Sequence, residues 1–127
     1  MSEPPDPAPR RARFRLRGFV DAFRGIGLVL WTQANARIHA AATVLVTAAG
    51  LWLHLSRSEW IEIAGVVTMV WVSEAVNTAV EFTIDLVSPE HRRLAGWAKD
   101  AAAGAVLLAS IGAVVVGLLI FGPKLFK

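Results

Sequence analysis

Glu74, Asn77, Glu81 and Asp85 follow one another at intervals of three, four and four residues. On an α-helix, at about 100° per residue, such intervals place all four side chains within roughly 80° of one another, as one acidic stripe. The stripe lies in an otherwise apolar stretch. Ionisable side chains at membrane depth cost on the order of 3 kcal/mol each, so a chain that keeps several of them together uses them or pairs them. The absence of cysteine excludes a disulfide framework, a thiolate metal site and a cysteine nucleophile, which leaves carboxylates, amides, His, Lys and Arg to carry any chemistry.

The elements that position the stripe follow from composition. The 127 residues are 55% hydrophobic and 18% charged, with a mean hydropathy of +0.53, which is too apolar for an ordinary soluble domain. An all-α integral membrane protein is expected, with an interfacial amphipathic helix followed by three transmembrane helices. Residues 1–17 read as a disordered tail, rich in proline and then in arginine, and residues 18–127 as the membrane domain. Phe19, Phe23, Ile26 and Leu30 recur at helical spacing among polar residues, predicting the interfacial helix over about 19–37, continuous or nearly so with the first span. The spans are predicted at about 38–55, 60–87 and 101–122. Ser58 is the expected start of the second. Ser88 and Pro89 read as its close and as the N-cap and first position of the next helix, and Pro123 as the end of the third span. Ala101, Ala105, Ala109, Ala113 and Gly117 form a small-residue stripe that permits close helix approach.

The net charge of +3 arises from arginines ahead of the apolar segments, which act as juxtamembrane anchors, so a nucleic-acid partner is not expected. Asp21 and Arg24 interrupt the segment that a cleavable export signal would need, and the N-terminus is expected to be retained. Lys and Arg are abundant before the first span and in the loop with Arg92, Arg93 and Lys99, whereas the first hairpin has only Arg57. This bias puts the N-terminus and the second loop in the cytoplasm. If Trp60 marks the outer interface, Glu74 lies about 20 Å and Glu81 about 30 Å below it, so the stripe straddles the cytoplasmic edge of the hydrocarbon. His39 and His54 bracket the first span and read as interfacial residues.

The segment EAVNTAVEFTID, from Glu74 to Asp85, followed by AKDAAAGAV from Ala98 to Val106, resembles the signature of the small bacterial lipid kinases, diacylglycerol kinase and its undecaprenol kinase relatives. NARIHAAA, from Asn35 to Ala42, and Ser58-Glu59-Trp60 extend the likeness over nearly all of the chain after the tail. The resemblance implies a homotrimer of three-span subunits in the bacterial inner membrane, with active sites shared between protomers. It implies transfer of the ATP γ-phosphate to a lipid hydroxyl with Mg²⁺. On the family's pattern Glu74 is the proton acceptor and Glu81 a metal ligand; Asn77, Asp85, Lys99 and Asp100 surround the nucleotide, as do Glu90 and His91 in the loop. Gln33 stands where relatives carry a metal-binding Glu, an amide oxygen without the charge. The run NTAVE together with RIH is closer to the undecaprenol kinases, making undecaprenol the first expected acceptor and diacylglycerol the second.

Other classes fit parts of the pattern. The stripe would also suit a polar seam between protomers, a solvated helix end, a non-catalytic scaffold or a cation path. A path needs polar groups along the whole span, and Ile63 to Ser73 supplies only Thr68 and Ser73.

Overall fold

The structure, a computed structural model, describes residues 14–127. They form four α-helices, α1 (Phe14–Thr32), α2 (Ala34–Trp52), α3 (Arg57–Val87) and α4 (Arg93–Leu125), with no strand among the described residues. Most of the expected tail, including Arg10, Arg11 and Arg13, lies outside the described residues, and α1 already contains residues 14–17. Helices α3 and α4 pack as a long antiparallel hairpin, with ion pairs Glu59–Lys124 at one end and Asp85–Lys99 at the other. Helix α2 lies antiparallel to α3. Among the described residues α3 and α4 are long and apolar enough to cross a membrane. Helix α2 corresponds to the first expected span, and its 19 residues carry Asn35, Arg37 and His39 within the first two turns.

Helix boundaries depart from the sequence expectation in several places. The interfacial helix and the first span are separated at Gln33, whose backbone is extended (φ −104°, ψ 117°). That break frees carbonyls at the end of α1, and Arg37 Nη1 donates to Trp31 O at 3.2 Å, replacing one lost partner. Helix α3 begins at Arg57, with Ser56 rather than Ser58 as its N-cap. Ser56 Oγ accepts from Glu59 N, and Glu59 Oε2 accepts from Ser56 N at 2.7 Å, a reciprocal capping box. Ser88 closes α3 without opening the next helix, and Arg92 is the N-cap of α4. Helix α4 therefore begins eight residues before the expected Ala101 and takes in Lys99 and Asp100. It also continues past Pro123 to Leu125, because a proline so near the end removes only its own donor while Phe126 N still reaches Gly122 O.

The apolar core sits near the α2–α3 turn, where Leu55, Ile63 and Ile120 pack with Trp60, Val67, Val116 and Phe121. A Cβ added to Gly50 would lie 2.7 Å from Trp60 Cη2, so glycine is what lets α2 approach the indole. The turn itself is a Schellman motif. His54 N donates to Leu51 O at 3.4 Å and Leu55 N to Gly50 O at 3.1 Å. His54 supplies the left-handed position (φ 54°) usually given to glycine. His54→Gly is expected to stabilise the fold by about 1 kcal/mol, the usual penalty for a side chain in that region. A higher thermal midpoint in detergent would show it.

Outside this core the large side chains of α4, among them Leu107, Leu108, Ile111, Val114, Leu118 and Leu119, are exposed in the single chain. So much contiguous apolar surface needs lipid or another protein against it.

Candidate active site

The four residues of the stripe descend along α3 from solvent into the protein. Asp85 is exposed, Glu81 half-buried, Asn77 buried at 6% exposure, and Glu74 buried at 1%. Adjacent members are one helical turn apart, so a ligand lying along the stripe meets a progressively drier environment.

At the deepest position, neither carboxylate oxygen of Glu74 has a hydrogen-bond partner. The nearest basic group is His39 on α2, its Nε2 3.7 Å from Glu74 Oε2. One turn outward, Asn77 Nδ2 donates to Glu81 Oε1 at 3.2 Å, and Asn77 Oδ1 is buried without a partner. Gln33, turned inward by the α1–α2 break, donates from Nε2 to Glu81 Oε2 at 3.3 Å. Gln33, Asn77 and Glu81 thus form one cluster of oxygen-bearing side chains, drawn from residues 48 positions apart in sequence.

At the outer end, Lys99 Nζ on α4 pairs with Asp85 Oδ1 at 2.5 Å. Both line a pocket of about 160 Å³ with Glu90, His91, Arg92 and Arg93. Glu90 also pairs with Arg92 at 3.3 Å, and the Arg93 guanidinium lies 4.8 Å over the Trp97 ring. Asp100 is exposed and does not line this pocket. The partner that holds Lys99 is Asp85, not the adjacent Asp100, since neighbouring residues on a helix point in different directions.

Two cavities meet at His39. One, of about 230 Å³, is bounded by Asn35, His39, Glu74, Asn77 and Ser110. The other, of about 470 Å³, is an apolar groove among α2, α3 and α4, with Val46, Val67, Ala113, Gly117 and Phe121 in its walls. His39 and Ser110 border both. The small-residue stripe contributes Ala113 and Gly117 to this groove, whereas Ala101 and Ala105 are exposed. A groove with such walls offers an apolar chain a place and offers an ion no continuous polar path.

His39, expected at an interface, also acquires a partner in the structure. It is half-buried and faces the deepest carboxylate, because antiparallel packing of α2 on α3 sets position 39 beside 74 just as it sets 33 beside 81. The sequence does hold a usable signal: Asn35 and His39 are four residues apart, hence on one face of α2, and both border the Glu74 cavity. His54 does lie exposed at the turn. Arg24 is exposed and pairs with Asp21 at 3.4 Å.

The family model described as Prokaryotic diacylglycerol kinase matches residues 20–121. The undecaprenol kinase of Bacillus subtilis (strain 168) is 43% identical over 109 residues, covering 86% of this chain and 89% of that protein. A diacylglycerol kinase from Synechocystis is 41% identical over 113 residues, covering 88% of this chain and 65% of its own length. The diacylglycerol kinase of Escherichia coli K12 is 29% identical over 94 residues, 74% of this chain and 77% of that protein.

Proposed function

The chain belongs to the prokaryotic diacylglycerol kinase family, and from that premise we propose that it phosphorylates undecaprenol, with ATP as donor and Glu74 as the base. It is a lipid kinase of a membrane protein family. The observation that carries the assignment of roles is the gradient along α3. A buried, unpartnered carboxylate lies at one end beside an apolar groove, and an accessible Lys–Asp pair lies at the other beside a loop pocket. A lipid alcohol suits the first environment and a nucleotide triphosphate the second. Undecaprenol is preferred to diacylglycerol because the match to an undecaprenol kinase extends over 89% of that protein.

In this reading the alcohol enters the cavity bounded by Asn35, His39 and Ser110, with its chain along the groove. The hydroxyl oxygen attacks the γ-phosphorus while the bond to the β-phosphate oxygen of ATP breaks. The hydroxyl proton passes to Glu74, and ADP leaves with the electron pair of the broken bond. Lys99, released from Asp85, neutralises phosphate charge, and Asp85, Glu90 and His91 border the nucleotide. Glu81 fits Mg²⁺, which takes one or two carboxylates alongside substrate phosphates, and the unpartnered buried Asn77 Oδ1 adds an oxygen of the right kind. Among the described residues no cluster of three acidic or histidine ligands exists, which accords with a metal completed by phosphates rather than caged by protein. When bound there, Mg²⁺ would draw charge from the phosphoryl oxygens.

Gln33 would be an additional, neutral ligand. Gln33→Glu is expected to lower the Mg²⁺ concentration for half-maximal rate several-fold, since a second carboxylate joins Glu81. A magnesium titration reads this, and an unchanged or higher requirement would remove Gln33 from the metal site. The wider reading makes α2 a third span, places the N-terminus and the α3–α4 loop in the cytoplasm of a bacterial inner membrane, and assembles the chain as a homotrimer. The exposed apolar face of α4 supports lipid or protomer contacts.

The test is phosphotransfer from labelled ATP with Mg²⁺ to undecaprenol or diacylglycerol in mixed micelles. Faster labelling of undecaprenol is expected. Faster labelling of diacylglycerol would reverse the choice of acceptor, and no labelling of either would overturn the kinase assignment.

A further inference from the structure

We infer that His39 is a positioning residue for phosphoryl transfer, holding the Glu74 carboxylate toward the cavity in which the acceptor hydroxyl is received. The inference rests on the reading of Glu74 as the base. Glu74 has no hydrogen-bond donor of its own, and a carboxylate free to rotate seldom points at its proton. His39 Nε2, at 3.7 Å, is the one basic group beside it among the described residues. That separation exceeds a hydrogen bond, and a small rotation of the imidazole closes it, as catalytic contacts often tighten only when substrate is present.

The backbone that carries His39 is itself fixed to α3. Trp71 Nε1 donates to Thr43 Oγ1 at 3.1 Å, and Thr43 Oγ1 donates to the carbonyl of His39 at 2.7 Å. This chain of bonds links α3, one turn of α2 and the residue facing Glu74. His39 also stands on the boundary between the apolar groove and the polar cavity. A hydroxyl at the end of an apolar chain would therefore pass the imidazole immediately before reaching the carboxylate.

The experiment is a double-mutant cycle on the full chain in mixed micelles, with Glu74→Gln, His39→Leu and the pair, together with His39→Gln. Glutamine places an amide N–H near the position of Nε2, and leucine keeps the bulk without a donor. His39→Leu is expected to lower kcat by about 30-fold, within the ~10–100-fold that orienting partners of metal ligands carry, with KM for ATP unchanged. His39→Gln is expected to restore at least a third of the wild-type rate. In the Glu74→Gln background, His39→Leu should have no further effect. If Glu74→Gln abolishes transfer but His39→Leu is wild-type, or the two losses multiply, the inference falls and the base assignment stands. If Glu74→Gln retains wild-type turnover, both fall. A His39→Leu protein that loses its fold, seen by size exclusion and circular dichroism, would leave His39→Gln to decide: activity near wild-type supports the inference, and activity below a tenth overturns it.

Discussion

Glu74→Gln is expected to reduce kcat for lipid phosphorylation by about 10²–10⁴-fold, the range that a positioned general base contributes. The substitution changes one oxygen to an amide and keeps shape, so it reads the loss of a proton acceptor rather than a packing defect. Initial rates with saturating ATP and lipid check the effect, and wild-type turnover would remove Glu74 from the reaction. Stability should move the other way. Both oxygens of Glu74 are buried without partners, an arrangement that costs free energy in the folded protein. Glu74→Leu should abolish transfer while raising the thermal midpoint in detergent, the opposed changes expected where a site is kept at the expense of the fold. A lower midpoint for Glu74→Leu would show the carboxylate to be a structural group.

Glu81→Gln is expected to lower kcat/KM for Mg·ATP by about 10²-fold, the loss of a few kcal/mol of charge stabilisation around the phosphates. Glu81 accepts from both Asn77 and Gln33, so the same substitution disturbs two hydrogen bonds as well as the charge. The two effects separate by raising Mg²⁺. Restoration of much of the rate at high Mg²⁺ indicates weakened metal binding, whereas a loss independent of Mg²⁺ assigns Glu81 to holding Gln33 and Asn77 in place.

The stripe itself is legible in the sequence because it is local: four residues on one helix share a face whatever the rest of the chain does. Pairing across helices is not. Nothing in the spacing of Gln33, just before α2, and His39 within it says which turn of α3 each will meet, and only antiparallel packing assigns them to Glu81 and Glu74. The helix ends differ from expectation for another reason. Ser56 and Ser58 are both suitable caps, and the reciprocal bond with Glu59, three residues after Ser56, selects the first. Ser88-Pro89 has the composition of a helix start, yet Ser88 N bonds back to Ile84 O and Ser88 Oγ to Glu90 O, which commits the segment to a turn. The role of His54 is hidden because a left-handed C-terminal residue is ordinarily announced by glycine.

The ion pairs at the two ends of the α3–α4 hairpin add little free energy where they are solvated. What they determine is alignment along the helix axes. A slip of α4 by one turn, about 5.4 Å, would separate both pairs at once and carry Lys99 away from the loop pocket. The distance along the hairpin between the amine and the deepest acid is thus built into the protein, and the two ends of the stripe keep their separation when the hairpin moves as a unit.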